Sequence, residues 1–236
     1  MRNKEFIPLK LKFLQRFIKS YYTTLNNKII KAIILFIIAF GLTSLTMTQV
    51  ITMNRYILNI FFLSITSLFF ILYFKKTLTN LISKTYKSEF IFLVGISLII
   101  HLISSYFILN YLNQPIWPFD SRGTSFLLMN NFYLWTKPFD VLLQQLLIVL
   151  LVIKLHQYKL TLKQITLLFV LGFGAIHIFQ IFKTDIIIGL AFTLGAIISS
   201  FVYPYMILKV RNGYIYNFMI HMGIYNIAAL LSYILY

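Results

Sequence analysis

Two histidines, His177 and His221, lie within apolar segments of the chain that are long enough to cross a bilayer. An ionisable side chain at that depth costs about 3 kcal/mol or more to insert, so it marks a functional site rather than a lipid-facing position. The simplest structural interpretation is a polar contact between two helices, worth about 1 kcal/mol in membranes. Both interpretations predict that the two histidines belong to one polar cluster.

Chemistry at such a cluster needs a base or a further ligand. Two histidines are too few for a typical zinc site, no HExxH motif occurs, and the chain has no cysteine, so we expect no metal and no cofactor. Asp140, Gln144 and Gln145 are the polar residues that could complete the cluster. Asp140 and Gln144 are four residues apart and therefore share one helix face, as do Asn217 and His221.

The other two histidines carry a weaker signal. His101 lies in an apolar segment close to Ser104 and Ser105, and we interpret it as a structural residue that hydrogen-bonds between helices. His156 lies among lysines and a glutamine, so we expect it to be solvated.

The composition identifies the class of protein that must position these residues. Of the 236 residues 60% are hydrophobic and 11% charged, and the mean hydropathy is +0.85. A soluble domain is about half apolar and a quarter charged, so we predict an all-α, polytopic membrane protein. The net charge of +16 does not indicate nucleic-acid binding, because the basic residues lie mostly between apolar segments, where the lipid bilayer is their partner.

Seven apolar segments predict about seven transmembrane helices in a domain covering residues 32–236. A basic, amphipathic segment at residues 1–31 precedes them, and we expect it to lie on the membrane surface. The predicted spans are residues 33–53, 57–74, 90–112, 139–153, 165–182, 186–208 and 215–236. The fourth is short, and its start can lie inside the connection that precedes it.

The basic residues also predict an orientation. Alternate connections hold 17 and 4 of the 21 lysines and arginines, which predicts a cytoplasmic N-terminus in a multi-pass protein of the cell membrane. The longest connection, residues 113–138, is rich in proline and tryptophan, and we expect it to be an interfacial or re-entrant loop. Small residues between Gly189 and Ser200 predict a surface where helices pack closely.

The order of these features resembles the CPBP family of intramembrane proteases, which includes CAAX prenyl protease 2 and Abi-type bacteriocin-processing proteins. The resemblance covers about residues 139–228: a polar pair in one span, FxxxH in the next, a glycine-rich span, an Arg-Asn-Gly loop, and a histidine followed by an asparagine in the last span. Members of the family typically carry EExxxR, FxxxH and HxxxN motifs, in which the glutamate and first histidine activate water and the second histidine and asparagine stabilise the oxyanion.

The resemblance implies a set of candidate catalytic residues, and two of its motifs are altered. Glutamines replace the glutamate pair, Val149 stands at the arginine position, and Tyr225 rather than an asparagine is fourth after the last histidine. The candidates carried over from the family are Gln144, Gln145, His177, His221 and Asn226.

Glutamine has nearly the shape of glutamate but no ionisable carboxyl, so the general base of the family is missing. Asp140 lies one helical turn, about 5.4 Å, from Gln144, which is too far for a positioned base. We therefore predict a degenerate member that binds or regulates a membrane protein or peptide. The alternatives are an active endopeptidase that processes a prenylated or hydrophobic leader peptide, and a small transporter or channel in which Asp140, His177, His221 and Asn217 line a polar path.

Overall fold

The computed structural model describes residues 55–82, 87–113, 131–182 and 186–235, together with isolated positions between 27 and 45. Within these ranges the regular secondary structure is entirely helical, which confirms the predicted all-α class. Six helical stretches in the described part of the chain are long and apolar enough to span a membrane. The protein is therefore a polytopic membrane protein.

The helices follow the predicted spans with one addition. They are α1 (Arg55–Tyr73), α2 (Lys75–Ile82), α3 (Lys87–Tyr111), α4 (Asn131–Gln157), α5 (Leu162–Phe169), α6 (Ala175–Ile181), α7 (Ile186–Lys209) and α8 (Gly213–Leu235). A π-helical turn, Val170–Gly174, joins α5 to α6, so that Leu162–Phe179 forms one span. The short helix α2 lies where the sequence predicted only a basic connection.

Three predictions on the N-terminal half fall largely outside the described residues. The basic segment 1–31 and most of the predicted span 33–53 are among them, as are residues 114–130 of the long connection. The described positions between 27 and 45 are helical, and Ala39 is buried against α1 and α4.

The fourth span begins earlier than predicted. Helix α4 begins at Asn131, eight residues before the predicted start, so Trp135, Lys137 and Pro138 belong to a helix and not to a loop. Proline and lysine at this position resemble loop residues in the sequence alone, because proline cannot donate the backbone hydrogen bond of a helix interior. Burial among neighbouring helices overrides that local preference.

Helix α4 lies at the centre of the bundle. Its leucines Leu143, Leu147 and Leu150 pack against α1, and Ile148, Val149 and Val152 pack against α5 and α7. Half of its membrane-spanning window is buried, more than in the other described spans. Polar side chains of α4 must therefore find their partners within the protein, either on α4 itself or on a neighbouring helix.

Pro138 is accommodated in α4 by a histidine of another helix. Because Pro138 has no N–H, the carbonyl of Leu134, four residues earlier, loses its helical donor. His101 of α3 replaces that donor: its Nε2 lies 3.1 Å from the Leu134 carbonyl oxygen. The ring is only 1% exposed. Neighbouring helices commonly satisfy backbone groups that proline frees in a membrane helix.

The same histidine also binds the last helix. Nδ1 of His101 lies 2.9 Å from the side-chain amide of Asn226 in α8. The Asn226 atom at this distance is Oδ1, which can only accept. Since Nε2 donates to a carbonyl, the neutral ring has a lone pair at Nδ1, which must accept. We therefore assign the Asn226 amide the flipped orientation, in which its N–H donates to Nδ1. His101 thus joins α3, α4 and α8. Its interpretation as a structural hydrogen-bonding residue agrees with this geometry. The ring binds Leu134 and Asn226, and Ser104 donates to the backbone carbonyl of His101 over 3.0 Å.

The turn between α7 and α8 sets the start of the last helix. Asn212 has a positive φ of 59° and is buried, and Gly213 follows it as the first residue of α8. A Cβ atom at Gly213 would overlap the backbone carbonyl of Met206.

Beside this turn, Arg211 lies 3.6 Å from Glu89 of α3, and the Tyr216 hydroxyl donates to the same carboxylate over 3.2 Å.

Because His101 supplies the donor that Pro138 lacks, we predict that substitutions of these two residues have coupled effects on the free energy of unfolding. His101→Leu leaves buried polar groups unpaired, which typically costs about 1–3 kcal/mol. In a Pro138→Ala background the new N–H can bond to Leu134, so His101→Leu should cost about 1 kcal/mol less, measured by denaturant unfolding in detergent. The control pairs His101→Leu with Pro204→Ala in α7, where the two effects should add within about 0.5 kcal/mol. Additivity in both pairs would contradict the shared role of the Leu134 carbonyl.

The tight turn predicts a steric effect at Gly213. Gly213→Ala should lower the free energy of unfolding by about 1–3 kcal/mol, because the new methyl group overlaps a backbone atom that cannot rotate away. Gly223→Ala is the matched control within α8, since a Cβ there meets nothing within 4 Å. Thermal unfolding in detergent compares the two variants, and equal melting temperatures would refute the prediction.

Candidate functional site

Helices α4, α5, α6, α7 and α8 and the π turn enclose a cavity of about 340 Å³. The size lies within the range of small-molecule sites, about 300–1,000 Å³. Three of the candidate residues from the sequence, Gln144, His177 and His221, line it. Most of the remaining lining is apolar, and it includes Ile148, Phe169, Phe173, Ile188 and Leu231.

The side chain of His177 is fixed by its own helix. Its Nδ1 lies 2.7 Å from the carbonyl oxygen of Phe173, which can only accept, so Nδ1 carries the hydrogen. The rings of Phe169, Phe173 and His177 stack in sequence, with centroids 5.3 and 6.5 Å apart. In the neutral ring, Nε2 therefore has a lone pair and can accept a hydrogen bond or a proton.

The π turn and the small residues around it bring α7 close to His177. A Cβ atom on Gly174 would lie 3.3 Å from Ile197 of α7, and the Thr193 hydroxyl donates to the carbonyl of His177 over 3.0 Å. π-helical turns inside α-helices are rare and frequent at functional sites. The lack of a side chain at Gly174 is what allows this close approach of α7.

His221 has the opposite arrangement of its ring hydrogen. Nε2 of Gln145 lies 2.8 Å from Nδ1 of His221, and because that amide nitrogen can only donate, Nδ1 accepts. The hydrogen of the neutral ring is then on Nε2. A carboxylate at residue 145 would accept instead and would draw the hydrogen to Nδ1. The glutamine therefore makes His221 a donor at Nε2, which is a consequence that motif comparison alone did not predict.

Two tyrosines hold the ring of His221 in place. Tyr225 stacks on it with centroids 5.3 Å apart, and Tyr203 packs against it at 5.8 Å. The Tyr203 hydroxyl interacts with the side chains of Ser199 and Gln145. The orientation of His221 is thus fixed by α4, α7 and α8 together.

Asp140 does not act as a free carboxylate beside the cavity. One of its oxygens lies 2.8 Å from Nζ of Lys137, and the other accepts from Nε2 of Gln144 over 2.7 Å. Lys137 is 7% exposed, and its ammonium lies 3.5 Å from the centre of the Tyr225 ring, a cation–π contact. From the sequence, Lys137 was expected to lie in the connection before the fourth span. Its position three residues before Asp140 was a usable signal for an ion pair on one helix face.

The polar atoms left for a ligand are few. Within the described ranges, no protein group hydrogen-bonds to Nε2 of His177, Nε2 of His221 or Oε1 of Gln144, and all three residues line the cavity. No lysine, arginine, aspartate or glutamate belongs to the described lining. The same ranges contain no group of three His, Cys, Asp or Glu side chains that could hold a metal ion.

The small residues of α7 have a different role from the one predicted. Ala191, Gly195, Ala196 and Ser199 line the cavity, and a Cβ at Gly195 would meet nothing within 4 Å. Only part of this stretch, such as buried Gly189, is packed closely. The small side chains therefore mainly leave space, because a stretch of small residues does not reveal where the neighbouring helix lies.

Two asparagines of α8 lie away from the cavity lining. Asn226 binds His101, and Asn217 donates to the backbone carbonyl of Tyr203 over 3.1 Å. The structure thus brings Gln144, His177 and His221 together at the cavity, holds Gln145 behind His221, and directs Asn226 to α3. Asn226 is five residues from His221, which turns it to another side of the helix.

The hydrogen-bond pattern predicts the tautomer of His221. In Gln145→Glu the carboxylate should accept from Nδ1, so Nδ1 should become protonated. Nitrogen-15 NMR of labelled histidine distinguishes protonated from unprotonated ring nitrogens. His177 is the internal control, because a backbone carbonyl holds its tautomer. A protonated Nδ1 on His221 already in the unsubstituted protein would disprove the assigned orientation of Gln145.

The chain matches no protein-family model, no curated protein and no solved structure.

Proposed function

We propose that the chain is a CPBP-like membrane protein that binds a hydrophobic ligand in the cavity without hydrolysing it. The family resemblance suggests a membrane protein or peptide as the molecule that it binds or regulates. The distribution of lysine and arginine supports a location in the cell membrane with a cytoplasmic N-terminus. The observation that carries the proposal is the shared cavity of Gln144, His177 and His221 with no carboxylate in its described lining.

The missing base supports binding over hydrolysis. General base catalysis typically contributes about 10²–10⁴ in rate, and an amide side chain cannot take a proton from water. The nearest carboxylate, Asp140, is already paired with Lys137 and Gln144 through both of its oxygens. Asp140 also lies outside the described lining of the cavity.

An active peptidase is the second candidate, and the two histidines favour it. Nε2 of His177 has a lone pair that can accept a proton from water, while Nε2 of His221 carries a hydrogen that can stabilise an oxyanion. Such a site would use a histidine oriented by the Phe173 carbonyl in place of a glutamate. The channel alternative has less support, because neither Asp140 nor Asn217 belongs to the cavity lining.

A crosslinking and cleavage assay tests the proposal. A hydrophobic leader peptide carrying a photoreactive group is incubated with the purified protein in nanodiscs. We expect crosslinks to α7 and α8 and no cleaved product by mass spectrometry. Gly195→Leu should abolish the crosslinks, because its side chain enters the open space of the cavity. Gly95→Leu in α3 is the matched control, since a Cβ at either glycine meets nothing within 4 Å.

Two outcomes would contradict the proposal. Cleavage that His177→Ala abolishes would establish the peptidase instead. Crosslinks that persist unchanged in Gly195→Leu would mean that the peptide binds outside the cavity. The double variant Gln144→Glu, Gln145→Glu adds a comparison: a large gain of cleavage shows that the missing carboxyls are what keep the native site inactive, whereas little change in an already active protein fits the peptidase.

A further inference from the structure

The shape of the cavity limits what can occupy it. Its lining runs along α7 from Ile187 to Tyr203 and along α8 from His221 to Ser232. At 1.5 Å per residue, these stretches are about 24 Å and about 16 Å long. A space of about 340 Å³ spread along two helices has the volume of a small-molecule site and suits a single extended chain.

The walls favour a hydrocarbon chain. Apart from the histidines, Gln144, three serines and two tyrosines, the described lining consists of apolar side chains. Two of those serines, Ser200 and Ser232, donate to carbonyls of their own helices and so leave no free hydroxyl hydrogen for a ligand. An extended chain without regularly spaced polar groups therefore matches most of the length.

Besides the hydroxyls of Ser199, Tyr203 and Tyr225, the cavity lining presents three polar atoms whose donor or acceptor role is fixed by a hydrogen bond elsewhere on the residue. Nε2 of His177 and Oε1 of Gln144 each accept a hydrogen bond, while Nε2 of His221 donates one. A primary amide has the complementary set, since its nitrogen donates two hydrogen bonds and its oxygen accepts. Each donor or acceptor role is set by the hydrogen bond that the residue makes with another part of the protein. His177 binds the Phe173 carbonyl, Gln144 binds Asp140, and His221 binds Gln145.

The same three atoms disfavour related head groups. A carboxylate only accepts, so it would face the lone pairs of His177 and Gln144, and the described lining supplies no cation to pair with it. An ester also only accepts and would leave both acceptors of the cavity without a donor. The Lys137 ammonium does not alter this, because its charge is paired with Asp140.

We propose that the cavity binds a single-chain fatty amide, with its acyl chain extended between α7 and α8 and its uncharged amide hydrogen-bonded to Gln144, His177 and His221. This inference rests on the proposed function only in that the cavity binds a ligand without cleaving it. It assigns a lipid to the site in place of a peptide.

Binding of tritiated hexadecanamide to the protein in nanodiscs tests the inference, with Gly195→Leu in identical nanodiscs as the background for partition into lipid. Unlabelled hexadecanamide, hexadecanoate and methyl hexadecanoate then compete at neutral pH. Each unpaired buried polar group lowers affinity by about tenfold, so the amide should compete at least tenfold better than the acid and the ester. Gly95→Leu should bind like the unsubstituted protein.

Two variants test the assigned acceptors. His177→Phe continues the aromatic stack but removes the lone pair, and Gln144→Met removes the amide oxygen while keeping a similar length. Each should lower the affinity for hexadecanamide about tenfold and leave that for methyl hexadecanoate unchanged. Equal losses for both ligands would indicate a change in shape only and would overturn the assigned hydrogen bonds.

The remaining outcomes separate the two proposals. If the acid or the ester competes as well as the amide, the fatty-amide inference is wrong while ligand binding in the cavity stands. If hexadecanamide shows no binding above the Gly195→Leu background while the photoreactive peptide crosslinks to α7 and α8, a peptide is the ligand and the fatty-amide inference is wrong. If neither binds above that background, both the inference and the proposed function are wrong.

Discussion

The structure depends on a set of polar side chains that a membrane helix carries into the centre of the bundle. Lys137, Asp140, Gln144 and Gln145 follow one another along α4, and Gln145 is at the midpoint of its span. Lipid offers no hydrogen-bonding partner, so the protein must supply each one. Asp140 pairs with Lys137 on the same helix, and α8 supplies the Tyr225 ring and the His221 imidazole. The cavity lies where the small side chains of α7 do not fill the space beside these contacts.

Replacement of a carboxyl by an amide changes more than the acidity of the site. An amide nitrogen facing His221 sets which ring nitrogen carries the hydrogen, and an amide oxygen at residue 144 adds an acceptor to the cavity. The same two glutamines define a set of hydrogen bonds that glutamates at these positions would not make. Under the proposed resemblance to the CPBP family, the altered motif still carries specific information about recognition.

The features of the fold that the bilayer imposes could be predicted from the sequence. Because only helices satisfy every backbone group in lipid, hydropathy predicted the spans, and the high cost of burying histidine identified two residues of the cavity lining. The sequence left open that the fourth span begins inside the preceding connection, but the start of α4 could not be placed, because Pro138 looks like a loop residue until the donor from His101 is known. That donor lies 33 residues from Leu134, and Asn226 lies 125 residues from His101, so no local pattern reveals either pairing.

The distance along the chain between these partners has a consequence for biosynthesis. Gln145 leaves the ribosome 76 residues before His221, and His101 leaves it 125 residues before Asn226. During that interval the first residue of each pair has no final partner and must be shielded by water or by the insertion machinery. Docking of α8 is then the step that supplies these partners, so the hydrogen bonds that join α8 to α3 and α4 can form only after α8 has been inserted.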